Sequence, residues 1–286
     1  MSFIQNSIFC SRPLGKIWTC ALLTVLLCQF ALPAHAWKNG PPNNKVTNSA
    51  KDCLKPPYST HDWVVDQARL LLPETERVFF DTHRTLLLIG TEAPDYDSIL
   101  LSCGVPNSGY DDNSGGRHDL RFSNDLTVSN DIAAVRSREE FEKAVSAYRA
   151  GRPDHAAYFL GAAAHFIGDL SQYGHTIKGE IHHADFEEWV GGMTPSLNGG
   201  GVFEKYIKAA GLVSRTAYEA VILTGAFTYA GVPPVISPTV LDKRYDPTTE
   251  PDLEVIVSVG HTLNKAVNET ANMLHGFYQF VIKPTQ

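Results

Sequence analysis

Side chains of the kinds that bind zinc are concentrated in one short stretch of the sequence. His165, Asp169, His175, His183 and Glu187 fall within 23 residues. Imidazole nitrogens and carboxylate oxygens are common zinc ligands, and a bound metal would offset the cost of burying such groups among apolar neighbours. One His beside one Asp usually forms a hydrogen-bonded pair. Two such pairs with a further His between them favour a metal site.

Two helices must position these side chains. Residues 156–170 are rich in Ala, Leu and Phe and contain no proline, which predicts a largely buried helix. The first His and Asp are four residues apart and therefore share one face of that helix. Gly174 allows the chain to turn where this helix ends. The last His and the Glu repeat the four-residue spacing on a second predicted helix.

The first 36 residues have the pattern of a secretory signal peptide. Two basic residues precede an apolar run over residues 17–32, and a small-x-small sequence ends at Ala36. A membrane anchor is the alternative, but a run of about 16 residues is short for a membrane span. We therefore expect export to an extracellular or periplasmic location and cleavage after Ala36. Residues 37–286 would then form one catalytic domain.

The chain without this leader is acidic and has few cysteines. Removing the leader's two basic residues from the 24 Lys and Arg leaves 22 against 31 Asp and Glu, a net charge of about −9. This balance gives no indication of nucleic-acid binding. Three of the five cysteines lie in the leader, which leaves Cys53 and Cys103. An even pair in an exported protein predicts one disulfide, with free thiols or thiolate metal ligands as alternatives.

The remaining pattern predicts an all-α protein, a single-domain bundle of several helices. Ser59 and Asp62 have the spacing of a capping box at the start of a helix that carries His61. Further helices are predicted over residues 74–89, 137–150, 202–230 and 253–282. Irregular structure is predicted over residues 90–137, 189–201 and 233–251, and no convincing strand pairs appear.

These residues together resemble the bacterial zinc-dependent phospholipase C family, whose catalytic domain is all-α and holds three zinc ions. Members start with a Trp, and a His at a helix start follows, as in the HDWVV sequence here. An Asp in an Ala-x-Asp-Tyr loop is matched in APDYD, and the motifs His-x3-Asp-x5-His and His-x3-Glu are both met. The matching positions are Trp37, His61, Asp95, His118, His165, Asp169, His175, His183 and Glu187. His182 competes with His183, but only His183 has an acid four residues later.

The resemblance also implies how these ligands divide among the zinc ions. One zinc would take Asp95, His118, His165 and Asp169. A second would take the amine and carbonyl oxygen of Trp37, with His61 and Asp169. A third would take His175, His183 and Glu187. The bridging Asp169 would hold two zincs around a shared water, and hydroxide would attack phosphorus to release diacylglycerol and a phosphorylated head group. Asp95 would serve as a ligand or as the general base.

The substrate is less closely defined by the resemblance. Choline-preferring members enclose the quaternary ammonium with one acid and two aromatic residues. Tyr96 matches one aromatic residue, whereas Gly40 and Gly115 occupy the other two places. Phosphatidylcholine is therefore one candidate among glycerophospholipids. We also expect a monomer that meets phospholipid at a membrane surface and has no stable nucleic-acid partner.

Two alternatives to a phospholipase C follow from the same residues. A three-zinc single-strand nuclease or 3′-nucleotidase shares the fold and the initial Trp, but closes its third site with His-x3-Asp rather than with the Glu found here. A secreted metal-storing or host-binding protein with a degenerate site is the alternative from another class. The complete set of ligands argues against that last interpretation.

Overall fold

The computed structural model of the chain describes residues 58–100, 116–198 and 201–285, with the side chains of 58–95, 116–198 and 201–284. These residues all belong to one compact unit. The predicted signal peptide, Trp37, Cys53 and Cys103 lie outside the described residues.

Helices make up most of the described chain, so the all-α prediction is confirmed. The helices are α1 Thr60–Leu70, α2 Glu74–Thr82, α3 Arg84–Leu100, α4 Ile132–Arg149, α5 Pro153–Asp169, α6 His183–Met193, α7 Ala217–Ala230, α8 Pro238–Arg244 and α9 Leu253–Phe277. A π-helical turn, Tyr278–Ile282, continues α9. Short 3-10 helices span Tyr173–Thr176, Glu204–Tyr206 and Lys283–Thr285. Strands β1 Arg121–Phe122 and β2 Val128–Asn130 pair antiparallel.

Helix α5 lies at the centre of this fold and is buried at every position from 156 to 169. Helices α3 and α4 pack along it, and α1, α7 and α9 also contact it. The approach of α3 is especially close, because Gly90 on α3 meets Gly161 on α5. A Cβ on either glycine would overlap a carbonyl group of the opposite helix. These two glycines face each other across the helix crossing and therefore bring the end of α3 against the part of α5 that carries His165 and Asp169.

Helix α1 begins where the capping box predicts. The Asp62 amide donates to Ser59 Oγ at 3.2 Å, and the Ser59 amide donates to Asp62 Oδ2 at 2.9 Å. Together these bonds satisfy donors that a helix start otherwise leaves free. They place His61 in the first turn of α1, where it is 1% exposed.

The prediction that Gly90 ends a helix and begins a long irregular region was wrong. Helix α3 continues through Gly90 and Pro94 to residue 100, and α4 starts at Ile132 rather than at 137. Gly90 serves close packing against α5 instead of terminating the helix. Asp95 therefore lies on a helix and not in a loop. Between these helices, β1 and β2 form a short hairpin that the sequence did not predict.

Residues 202–216 were also predicted to be helical, yet α7 begins only at Ala217. Three asparagines spaced four apart on α9 hold residues 208–213 of this segment in a non-helical path. Backbone amides of residues 208, 210 and 213 donate to their side-chain oxygens, which belong to Asn264, Asn268 and Asn272. These long-range bonds replace the partners that helical backbone would supply.

Two smaller boundaries differ from the predictions, and a third agrees. Helix α6 extends to Met193 because Val190 is buried, so the loop predicted from residue 189 starts later. The Pro-rich connection contains α8, which has Pro238 at its start, a position where proline costs no hydrogen bond. The predicted terminal helix is present as α9 and the π-helical turn after it. Within the described part of the chain, the helices are too short or too polar to span a membrane.

Candidate metal centre

Eight candidate ligands meet beside α5 and form three groups. Within each group the ligand atoms lie within 4.8 Å of one another. The eight side chains come from five separate elements and one connecting segment. The first group is Asp95, His118 and His165. The second group is His61, His165 and Asp169. The third group is His175, His183 and Glu187. Seven of these eight side chains are buried, and His183 is partly exposed.

Asp169 connects the first group to the second through its two carboxylate oxygens. Oδ2 lies 2.7 Å from His118 Nδ1 and 3.2 Å from His165 Nε2. Oδ1 faces the other way, 3.4 Å from His61 Nε2. The imidazoles of His61 and His165 stack with their ring centroids 4.0 Å apart. Asp169 thus has the placement of a carboxylate that bridges two cations.

The remaining contacts complete the first and third groups. Asp95 Oδ1 lies 3.6 Å from His118 Nε2 and 3.8 Å from His165 Nε2. In the third group, Glu187 Oε1 lies 2.9 Å from His183 Nε2 and 3.6 Å from His175 Nε2. Both ligands on α6 are in its first two turns.

Several buried atoms of these groups have the chemistry expected at a metal site. Both ring nitrogens of His61 and of His175 lack a described hydrogen bond, as do Asp169 Oδ1, His183 Nε2 and Glu187 Oε2. Buried polar atoms are nearly always hydrogen-bonded, because an unsatisfied one loses its solvation without compensation. The set contains only imidazole and carboxylate donors, which suit zinc. The residues present therefore fit bound metal ions.

Outer partners turn three of the imidazoles toward the centre. His165 Nδ1 bonds to the Thr91 carbonyl oxygen at 2.7 Å. His183 Nδ1 lies 3.0 Å from Glu180, and His175 Nδ1 lies 3.6 Å from Asp119. In each case Nε2 is left facing the group, as metal-binding histidines require. Sequence reasoning missed these outer residues, although Asp119 follows His118 directly and Glu180 is close to His183 in the sequence.

Two glycines leave space for the imidazoles. A Cβ on Gly168 would lie 2.6 Å from His61 Nδ1, and one on Gly174 would lie 2.6 Å from His183 Nδ1. Real Cβ atoms do not approach other atoms this closely. Each glycine immediately precedes a proposed ligand in the sequence, so the backbone that carries one ligand also makes room for another.

Burial and neighbouring charges shift the pKa values of several ligands in the centre. Burial raises the pKa of the Asp169 carboxyl, but His165, His118 and His175 outweigh burial and hold that pKa well below its usual value. Burial lowers the pKa of His183, yet Glu187 and Glu180 raise it to about 10. Burial and the neighbouring His165 hold the pKa of His61 well below its usual value. The Asp169 carboxylate therefore stays ionised and requires positive charge beside it, as protons on the imidazoles or as metal ions.

A cavity of about 240 Å³ opens onto this centre. His118, His175 and His183 form its inner wall, and charged side chains from the β1 strand and from the loop before α6 form its rim. A small charged group can therefore enter from solvent and reach the first and third groups.

The structure brings together eight of the nine predicted metal ligands. Trp37 lies outside the described residues, and so does the side chain of Tyr96, whose backbone is part of α3. His182 packs against Tyr245, with ring centroids 5.8 Å apart, and is not a member of the three groups.

No protein-family model and no curated protein sequence matches the chain. Among solved structures, the chain resembles an alpha toxin from Clostridium absonum in fold. The TM-score is 0.51 at 17% sequence identity, over 78% of this chain and 63% of the toxin chain. The chain therefore spans less than two thirds of the toxin's length, and at this identity the likeness shows the all-α fold alone.

Proposed function

We propose that the protein is a zinc-dependent phospholipase C that hydrolyses glycerophospholipids to diacylglycerol and a phosphorylated head group. The observation that supports this most directly is the position of Asp169, whose two oxygens face different groups of buried ligands. Such a bridge keeps two metal ions at short separation, an arrangement typical of enzymes that cleave phosphate esters. The fold shared with the toxin is consistent with the proposal.

The proposed centre holds three zinc ions. In this assignment Asp169 would bind both the first and the second zinc, and Trp37 would complete the ligands of the second with its amine and carbonyl oxygen. When bound, zinc would activate water as a nucleophile and neutralise the phosphate oxygens. The protein's part is to fix the ligands: Thr91 and Glu180 hold imidazole rings in one orientation, and burial keeps bulk water from the bridge.

Asp95 faces the imidazoles of His118 and His165 in the first group. It is 1% exposed, and burial raises its pKa above the ordinary value, partly offset by His165 and His118. A carboxylate with a raised pKa holds a proton more readily, which suits a general base. We propose that Asp95 serves the first zinc as a ligand or acts as the general base.

The test is a comparison of substrates with the zinc-loaded chain that begins at Trp37. The protein is incubated with phosphatidylcholine, with other glycerophospholipids and with single-stranded DNA, and diacylglycerol and nucleotides are quantified. We expect diacylglycerol release and close to three zincs per chain by elemental analysis after dialysis. The Asp169→Asn variant should release none, which excludes a contaminating lipase.

Two results would contradict the proposal. Nucleotide release without diacylglycerol would instead support the three-zinc nuclease. One zinc or none in a folded chain would remove the trinuclear centre from the proposal. The export, the monomeric state and action at a phospholipid membrane surface are part of the same proposal, and gel filtration with vesicle-binding assays would test the last two.

A further inference from the structure

Arg121 is a partly buried cation on the rim of the cavity beside the third group. Its side chain is 12% exposed. Nη2 lies 2.6 Å from Asp119 Oδ2, and Nη1 donates to the Gly174 carbonyl oxygen at 3.0 Å. These two contacts use two of the five N–H groups of a guanidinium. The side chain is therefore held in one position with donors left to bind a ligand.

The position of Arg121 is tied to the metal centre through two neighbours. Asp119 also faces His175 Nδ1 at 3.6 Å, and Gly174 directly precedes His175 in the chain. The same carboxylate thus orients a proposed metal ligand and the guanidinium. A group bound by the third zinc would lie at the inner wall of the cavity, and Arg121 stands on the rim of that cavity.

The acidic side chains that line the cavity already have cationic or imidazole partners, whereas one further cation does not. The carboxylate of Asp119 is occupied by Arg121, and Glu180 lies 3.0 Å from His183 Nδ1. Lys178, which is exposed on the rim, has no ion pair within the part of the chain that the structure describes. The rim therefore offers cationic donors from Arg121 and Lys178, while its acids are directed toward Arg121 and His183.

We propose that Arg121, assisted by Lys178, is an anion-binding residue that holds the phosphate group of the substrate on the side away from the metals. A guanidinium can donate two parallel hydrogen bonds to a phosphate, which fixes orientation as well as charge. Arg121 would then determine where the phosphate lies relative to the centre. The inference rests on the proposed function only for the identity of the anion as a substrate phosphate.

Binding of inorganic phosphate to the zinc-loaded protein tests this directly, because it needs no turnover. The dissociation constant is measured by titration calorimetry for the unaltered protein and for Arg121→Gln, Arg121→Lys and Arg138→Gln. Arg138 is an exposed arginine on α4 paired with Glu142 and serves as the matched control. We expect Arg121→Gln to weaken phosphate binding about tenfold or more, Arg121→Lys to weaken it less, and the control to have no effect.

Zinc content and melting temperature of each variant distinguish binding from a structural role. Unchanged phosphate affinity in Arg121→Gln would overturn the inference. Loss of a zinc from that variant would also overturn it, because Arg121 would then act by holding Asp119 and His175. If Arg121→Gln does not fold, the charge-conserving Arg121→Lys decides, and full affinity in it would exclude the bidentate contact. Phosphate binding that depends on Arg121, in a protein that cleaves no phospholipid, would contradict only the proposed function.

Discussion

Single residues at this centre do more than one task. Asp169 lies between three imidazoles, and its two oxygens are directed to different groups. Asp119 orients His175 and holds Arg121. Gly168 contributes no side chain, and the space it leaves is taken by His61. The effect of a substitution should therefore depend on how many groups the residue serves, and less on whether it is itself a ligand.

Replacing the bridge should cost more metal than replacing a terminal ligand. Asp169→Asn keeps the size of the side chain but removes the charge shared by two groups, so we expect loss of two of the three zincs and of all turnover. Glu187→Gln removes a charge from the third group alone and should release one zinc. Elemental analysis of both dialysed variants checks this. Equal losses in the two would show that Asp169 is not the bridge.

A methyl group placed near His61 should disturb the second group without touching a ligand. Gly168→Ala puts a Cβ within 2.6 Å of His61 Nδ1. We expect it to weaken zinc at that group by about tenfold or more, since the imidazole must move. Gly192→Ala on α6 is the control, because nothing lies within 4 Å of its Cβ. Competition with a chromophoric chelator measures both affinities, and identical values would mean that His61 yields without cost.

Helix packing decides whether these residues meet at all. Helix α3 supplies Thr91 and Asp95, whereas α5 supplies His165 and Asp169. The two helices approach closely at Gly90 and Gly161, where each backbone lies against the other. No side chain could be accommodated in that crossing without separating the helices. The position of Asp95 in the centre thus depends on two glycines that bind nothing.

Filling this crossing should destabilise the protein. In Gly161→Ala the new Cβ overlaps the Leu87 carbonyl oxygen and the backbone of Gly90. The expected loss in free energy of unfolding is about 3 kcal/mol, the upper part of the range for overpacked cores, despite the better helix propensity of alanine. Urea denaturation of the zinc-loaded protein measures it. Gly192→Ala should instead gain up to about 1 kcal/mol, and a similar gain in Gly161→Ala would contradict the close crossing.

At the scale of the whole molecule, the centre is part of what holds the helices together. It joins α1, α3, α5, α6 and the 3-10 helix Tyr173–Thr176 with the segment before β1, through side chains that are almost all buried. Their mixture of imidazoles and carboxylates cannot be stabilised by apolar packing. Metal ions bound by these side chains would compensate the cost of burying them, so that metal binding and folding stability are linked.

Removal of zinc should lower the melting temperature by about 10 °C or more, since ligand bound at a thousand times its dissociation constant adds about 4 kcal/mol. The reason is that the buried carboxylates and imidazoles lose the charges that compensate them. Thermal scans of the protein before and after treatment with a strong chelator measure the change, and added zinc should restore the original value. A melting temperature indifferent to chelation would mean that the three groups hold no structural metal.

The predicted cleavage before Trp37 provides a test of the proposed second zinc. If the Trp37 amine binds it, the amine must be free, because an amide nitrogen in a peptide bond has no lone pair to offer. A chain with one extra residue before Trp37 should fold, keep the third zinc and lose most activity. Activity and zinc content of the extended and trimmed chains are compared side by side. Equal performance of the two chains would remove Trp37 from the ligand set.

The sequence alone predicted the helical class and the local geometry of the ligand pairs. A spacing of four residues places His165 above Asp169 on any α-helix, and His183 above Glu187, whatever the rest of the chain does. The Ser59 capping box likewise sets a helix start through contacts over three residues. Such features are determined by neighbours along the chain, which is why they could be read from the sequence.

Only the tertiary structure decided how these local pieces combine. Gly90 has the signature of a helix end, but packing against α5 makes it part of a continuous helix that carries Asp95. Residues 202–216 have helical composition, yet the asparagines of α9 accept hydrogen bonds from their backbone amides and keep this backbone from forming an α-helix. The roles of Asp119 and Glu180 as partners of His175 and His183 follow from the orientation of these imidazoles in the folded chain. Each of these outcomes depends on contacts between residues far apart in sequence, whose energies outweigh local preference.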